Sequence, residues 1–395
     1  MNICIAGKNS IAVEITKYII EKFKNINLFV IPNSTDNGID SWQDSFLKYC
    51  LMKKLNIISL EESYKIENLI FISLEFNKII NPYKFKKARL YNIHFSLLPK
   101  YKGMYTSAIP ILNNEKETGV TFHEIDQGID TGDIIAQEKI EILEDDTAKD
   151  LYLKYIDNGI NLVRKVLISV IENNYKTQKQ DIESSTYYSK EYIDYKNLKI
   201  NLKQTAKNIK NQIRAFNFRE YQLPIVYGFK ISGAKIMQQK SIKKPGTIIY
   251  ENNYEILIAT IDYNILLYKD MEEELFRACE IGDINEVMNI CQNSQALKIR
   301  NTRGWTPLIV ATYNSQTEIV KLLISLGANI NDTNYNGTNL LMYAKDSYLR
   351  TSNDELLKLY LNLGISIYQK DKKGKNLLDY CDENLKIKII ELVNN

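Results

Sequence analysis

Short apolar runs at the start of the chain alternate with stretches whose apolar residues fall at helical spacing. Met1 to Ala6 reads as a strand, Gly7 as a tight turn, and Ser10 as the cap of a helix carried by Ile11, Val13, Ile15, Ile19 and Ile20. The pattern recurs with strands over residues 27–31, 56–58 and 68–73 and a helix over 41–51. A strand over 134–142 and a long helix from Thr147 to about Glu172 complete it. Strands and helices in this order predict an α/β fold, a parallel sheet covered on both faces. A single glycine at the first turn falls short of the dinucleotide fingerprint and argues against NAD. That turn either receives a phosphate or hydroxyl at the helix start, around Asn9 and Ser10, or is purely structural.

From Leu202 the pattern changes. A helix through Ala206, Ile209 and Ile213 runs into an aromatic segment from Arg214 to Pro224, and short strands follow over 226–231, 246–251, 255–260 and 265–268, a small β-rich appendage. Beyond Asp270 the chain repeats itself: Ala278, Ala311 and Ala344 are spaced by 33, as are Gly304 and Gly337, whereas Gly327 to Gly364 spans 37. A period of 33 with Gly304-Trp305-Thr306-Pro307-Leu308 is the ankyrin signature, here lacking its histidine. The expected organisation is a core over 1–200, a β-rich subdomain for substrate binding or dimerisation over 201–270, and all-α ankyrin repeats over 271–395.

Length agrees, since 395 residues at about 150 per domain suggest two or three domains. The five cysteines are odd in number, scattered and without a C-x-x-C pair, which predicts free thiols in a reducing, cytoplasmic setting and no zinc site. The N-terminus has neither a basic n-region nor a long apolar run, so neither export nor membrane insertion is expected. A formal charge of +3 with interspersed Lys and Glu gives no strong field and no nucleic-acid partner.

Chemistry concentrates between residues 90 and 133. Tyr91, Ile93 and Phe95 alternate with Asn92, His94 and Ser96, so on a strand the polar three share one face. Both histidines of the chain, His94 and His123, fall near this stretch, and a glycine-flanked loop carries Asp130. An amide, an imidazole and a carboxylate suit acyl transfer to an amine: Asn92 donates to an oxyanion, His94 takes a proton, and Asp130 orients and charges the imidazole. No protein nucleophile is needed, and Ser96, without a glycine elbow, reads as a strand-end hydrogen bond. The alternative is a structural histidine beside turn-forming Asp126, Asp130 and Asp133. Calcium-loop order is missing, so no metal is expected.

At Asn92-Ile93-His94-Phe95-Ser96-Leu97-Leu98-Pro99, Glu117-Thr118-Gly119-Val120-Thr121 and Asp126-Gln127-Gly128-Ile129-Asp130-Thr131-Gly132-Asp133 the chain resembles the formyltransferases that use N10-formyltetrahydrofolate. The resemblance implies a Rossmann-like core, catalytic roles for Asn92, His94 and Asp130, and a folate site between Phe76, Lys78 and Ile80 and the loop holding Asp126 and Gly128. The segments 71–80, 100–107 and 214–224 resemble the branch acting on dTDP-linked amino-dideoxyhexoses. That branch implies a homodimer in O-antigen or surface-glycan synthesis, and substrate contacts from Asn9, Ser10, Lys78, Lys102, Met104, Tyr105, Arg214, Phe218 and Tyr221. Phe216, Phe218 and Tyr221 offer faces for a pyrimidine, and Arg214, Lys78 and Lys102 offer charge for a diphosphate. Packing of the rings onto the core is the alternative. The expected acceptor is dTDP-3-amino-3,6-dideoxyglucose, with the 4-amino isomer as runner-up. Trp305 occupies a normally solvent-facing repeat position and is a candidate second ligand or protein-partner site. An ankyrin scaffold with an inactive formyltransferase domain is the remaining alternative.

Overall fold

The structure is a computed structural model that describes residues 1–394. The chain divides into two compact units, Met1–Gly228 with Thr260–Tyr263, and Phe229–Ala259 with the chain from Asn264 onward. The span 201–270, read from the sequence as one subdomain, is thus shared between them: the helix Ala206–Ala215 lies in the first and the strand Phe229–Lys240 in the second.

The first unit is built on seven strands, β1 (Asn2–Gly7), β2 (Asn27–Pro32), β3 (Asn56–Ile57), β4 (Glu67–Leu74), β5 (Lys87–His94) and, after the short β6 (Lys102–Gly103), β7 (Glu117–Glu124) and β8 (Ile134–Glu141). Their order is β3-β2-β1-β4-β5-β7-β8. The strands from β3 to β5 are parallel, as expected, but β7 and β8 run antiparallel, so the sheet is mixed. The short connection from Ile125 to Asp133 has no room for a crossover helix and forces β8 to turn back. Side chains of β1 alternate between two layers. Ile3 and Ile5 pack with Ile11 and Ile15 and with Leu151 and Val163 of the helix Ala148–Ile171, while Cys4 and Ala6 join Phe71 and Leu90 on the other face. Each fully buried isoleucine contributes about 2 kcal/mol, which holds the helices down on the sheet.

Two predicted helix starts behave differently. Thr147 caps Ala148–Ile171 through a reciprocal capping box with Asp150, as its local sequence suggests. The helix expected over 41–51 begins only at Phe46. Asp36 accepts from Ser45 Oγ at 2.6 Å and from Leu47 N at 2.9 Å, and Ser45 caps Lys48, so residues before Phe46 form a loop that carries Trp42.

In the second unit the sheet strands Phe229–Lys240, Tyr263–Lys269, Glu255–Ile258 and Ile248–Glu251 are neighbours in that order. Helical pairs follow: Glu272–Ile281 with Ile284–Ile290, Pro307–Tyr313 with Thr317–Ser325, and Leu340–Thr351 with Glu355–Asn362. Leu308, Ile319, Leu323, Leu341 and Leu357 fill their shared core. Gly304, Gly337 and Gly374 open successive repeats at φ of 76°, 78° and 77°, a conformation that favours glycine. The extra length of the third repeat lies in its first helix, 12 residues against 7 in the preceding repeat.

Candidate active site

The end of β5 presents the polar face read from its alternation. His94 is buried, and its Nε2 lies 2.8 Å from the carbonyl of Tyr101. A carbonyl only accepts, so Nε2 carries a proton and donates, leaving Nδ1 to face Asp130 Oδ2 at 3.4 Å. Asn92 Nδ2 lies 3.1 Å from His123 Nε2 and donates to Asp130 Oδ1 at 3.4 Å. His123 Nδ1 is 2.6 Å from the Glu124 carbonyl, which assigns its proton to Nδ1 and makes Nε2 the acceptor for Asn92. Of the two Asn92 amide protons, the one on the long contact to Asp130 is the one more readily given to a ligand oxygen. Ser96 Oγ donates to the Lys100 carbonyl at 2.7 Å, a strand-end bond.

Asp130 arrives from the β7–β8 loop with φ of 56°, a left-handed turn that a non-glycine residue adopts at a cost. The loop closes through Glu124 N to Asp133 O at 3.0 Å, and a Cβ on Gly132 would sit 1.9 Å from the Glu124 carbonyl, so only glycine fits there. Gln180, beyond the long helix, donates to the carbonyls of Asp130 at 2.9 Å and Gly132 at 2.7 Å. Burial alone would raise the Asp130 carboxyl; the electrostatic pull of the adjoining His94 and His123 and the Gly103 amide, which donates at 2.9 Å, overcome it and hold the group well below the usual carboxylate range. The result is a largely buried carboxylate between two imidazoles, accepting from the Asn92 side-chain amide and the Gly103 backbone amide.

The predicted donor-side residues flank a common edge. Asn33 is buried and ties the turn after β4, donating to the Glu75 carbonyl at 2.9 Å and accepting from Asn77 N at 3.2 Å. That turn sets Phe76, half-buried against Phe71, exposed Lys78 and buried Ile80. Asp126 and Gly128 are exposed on the facing loop, with Asp126 accepting from Gly128 N at 3.0 Å. Tyr83 donates to Gln127 at 3.1 Å and bridges the two segments.

Predicted acceptor-side residues divide. Met104 and Tyr221 are exposed, Phe218 is buried, and Lys102 is buried without an ion pair among the described residues. Asn9 donates to Glu75 at 3.3 Å and to Tyr152 at 2.8 Å, and Ser10 N donates to Gln43 at 3.2 Å. Tyr105 is a brace, its hydroxyl donating to the Lys190 carbonyl at 2.6 Å. Arg214 needs correcting: its guanidinium is buried and donates to the carbonyls of Leu143 at 3.0 Å and Asp146 at 3.1 Å, so it stitches the core rather than offering charge to a diphosphate. Phe216 is likewise buried in the core. In the second unit Trp305 is half-buried rather than solvent-facing, with ring centroids 4.9 Å from Tyr313 and 5.1 Å from Tyr343 and the Arg303 guanidinium 5.3 Å above its ring.

Sequence reasoning named no role for His123, Glu75, Trp42, Tyr152 or Gln180. The rarity of histidine was a signal for the first. For the others none existed, because each is joined to its partners across long sequence separations. Trp42, Tyr152, Phe218 and Tyr221 form one aromatic group, with centroids from Trp42 to the other three of 5.6, 5.4 and 6.1 Å. Among the described residues no group of three or more His, Cys, Asp or Glu could hold a metal ion, and no helix is long and apolar enough to cross a membrane.

Residues 62–171 match the formyl transferase model, residues 192–286 the formyl transferase C-terminal domain, and residues 275–371 the ankyrin repeats. A Helicobacter canadensis N-formyltransferase, solved with folinic acid and dTDP-3-aminofucose, is 45% identical with a TM-score of 0.63, covering 68% of this chain and 99% of its own. The sugar 3N-formyltransferase WlaRD, solved in the presence of dTDP and 5-N-formyl-THF, is also 45% identical with a TM-score of 0.63, covering 68% and 97%. The chain belongs to the formyltransferase family, joined here to ankyrin repeats. The methionyl-tRNA formyltransferase of Clostridium tetani is 35% identical over 184 residues, 45% of this chain, and the chain spans 57% of that relative's length.

Proposed function

We propose that this protein transfers the formyl group of N10-formyltetrahydrofolate to the amino group of a dTDP-linked amino-dideoxyhexose, with dTDP-3-amino-3,6-dideoxyglucose as the acceptor. The observation that carries the reading is the convergence of Asn92, His94 and Asp130 within 3.4 Å contacts at one strand end. The choice of a 3-amino sugar rests on likeness to the two solved sugar enzymes, one with dTDP-3-aminofucose and one described as a 3N-formyltransferase. The exposed segment Asn77–Ile79 and the Asp126–Ile129 loop provide the edge for the folate, largely through backbone groups. The group of Trp42, Tyr152, Phe218 and Tyr221 provides aromatic faces for the thymine ring.

In this reading the unprotonated amine forms the new C–N bond at the formyl carbon. The amide of Asn92 donates to the oxygen as it gains negative charge, a contribution of roughly 3 kcal/mol for one well-placed donor. His94 receives the amine proton, Asp130 stabilises the imidazolium, and the proton passes to N10 as its bond to carbon breaks. A homodimer working in the cytoplasm on sugars for O-antigen or another surface glycan belongs to the same reading.

The test is to incubate the full chain with N10-formyltetrahydrofolate and, separately, 3-amino and 4-amino dTDP sugars, and to look for the formylated product by mass spectrometry. Product from the 3-amino sugar is expected. Product from the 4-amino sugar alone would reassign the amine, and no product from either would leave the ankyrin scaffold as the better account.

A further inference from the structure

The sheet changes direction between β1 and β4: the chain winds outward from β1 through β2 to β3, then resumes at β4 and continues through β5. In open α/β sheets ligands bind outside the carboxyl ends of strands at such a switch point. Here the two strand ends approach closely, with Lys8 N donating to the Leu74 carbonyl at 3.2 Å, and each is followed by a left-handed residue, Asn9 at φ 62° and Glu75 at φ 59°. Two non-glycine residues held in that conformation side by side are a local cost that the surrounding fold imposes.

Together they place a carboxylate at the switch point. Glu75 Oε2 is held by Tyr152 Oη and by Asn9 Nδ2 at 3.3 Å. Its Oε1 accepts no hydrogen bond among the described residues and is not sealed from solvent. Tyr152 in turn packs against Phe95, which directly follows His94, and against Trp42 and Phe218. One oxygen of this carboxylate is therefore fixed by the protein, while the other has no donor among the described residues, beside Tyr152 of the aromatic group and at the end of the strand next to β5. A carboxylate in that position repels a diphosphate and welcomes a donor.

We infer that Glu75 is a specificity-determining residue whose free oxygen accepts a hydrogen bond from a hydroxyl of the acceptor hexose, setting which ring carbon meets His94. The inference rests on the amino-sugar reading above. Aromatic faces alone tolerate any ring that stacks on them, whereas a fixed acceptor distinguishes a sugar bearing a hydroxyl from one lacking it. Burial raises the carboxyl, while Lys8 and the hydrogen bonds from Tyr152 and Asn9 pull it back toward the charged form in which this oxygen is an acceptor.

The experiment measures binding by calorimetry of dTDP, of the dTDP-amino sugar, and of analogues each lacking one ring hydroxyl, to the wild-type full chain and to Glu75→Gln. In the wild type one deoxy analogue should bind at least tenfold more weakly than the parent sugar. In Glu75→Gln the parent should weaken by a similar factor, the analogue should lose little more, and dTDP should stay within twofold. Should Glu75→Gln fail to fold, the wild-type panel still decides, because equal binding of every deoxy analogue overturns the inference. Equal loss for sugar and dTDP in a folded variant also overturns it, since that pattern marks a merely structural carboxylate. Failure of the wild type to bind dTDP or any dTDP sugar would instead bring down the amino-sugar reading itself.

Discussion

Replacing Asp130 by Asn removes one charge while keeping the shape of the group. In the wild type the carboxylate faces His94 Nδ1 at 3.4 Å, and at an effective dielectric of about 20 a unit pair at that distance interacts by about 5 kcal/mol. If His94 becomes an imidazolium during transfer, that interaction stabilises the charged state and not the neutral one, so losing it should lower kcat by about three orders of magnitude, at 1.4 kcal/mol per tenfold. The side-chain oxygen of Asn can still accept from Gly103 N, which should keep the loop in place. Single-turnover formation of formyl sugar, with both substrates saturating, reads the chemical step directly. A folded Asp130→Asn enzyme that loses less than tenfold in that rate would refute the role of Asp130 as the counter-charge. The same substitution has a stability signature. Because the folded-state carboxyl lies below its unfolded value, its contribution is fully present above about pH 3.9 and is lost as pH falls through the lower folded value. Asp130→Asn should therefore flatten the acid limb of stability against pH; an unchanged limb would contradict the charge assignment.

Gly7→Ala tests the close approach of β1 to β4. Its Cβ would meet the Leu74 carbonyl oxygen at 2.0 Å, a backbone contact that cannot yield without parting the strands, so a loss above about 2 kcal/mol is expected in urea denaturation. An unchanged midpoint would dispose of that geometry. Trp305→Ala removes a half-buried indole from contact with Tyr313 and Tyr343, and should cost about 1–2 kcal/mol, less than the roughly 3–5 of a fully buried ring, while the repeats stay folded. It should also change kinetics or partner binding, and unchanged values for both would end the case for a second site there.

What the chain determined locally is what depends on neighbours in sequence. The alternation from Tyr91 to Ser96 placed Asn92 and His94 on one face, because a strand turns each successive side chain over. Thr147 and Asp150 wrote the start of the long helix, and Thr306 wrote that of Pro307–Tyr313, its hydroxyl accepting from Ile309 N at 3.3 Å. The 33-residue spacing announced the repeats, since each is one unit that packs on a copy of itself.

The tertiary structure decided everything that depends on strand order and on loops returning from afar. His123 meets Asn92 only because β7 runs antiparallel to β5 with those two residues in register, and a period-2 pattern contains no register. Arg214 had the look of a phosphate ligand until the carbonyls of Leu143 and Asp146 were found to take its protons. Glu75 resembled any polar residue after a strand, yet the crossing between β1 and β4 put Asn9 and Tyr152 on one of its oxygens and left the other without a donor among the described residues. The Asp130 carboxylate itself shows both halves. Its glycine-flanked loop is visible in sequence, but the Asn92 amide, the Gly103 backbone amide and the two imidazoles beside it are brought together only by folding.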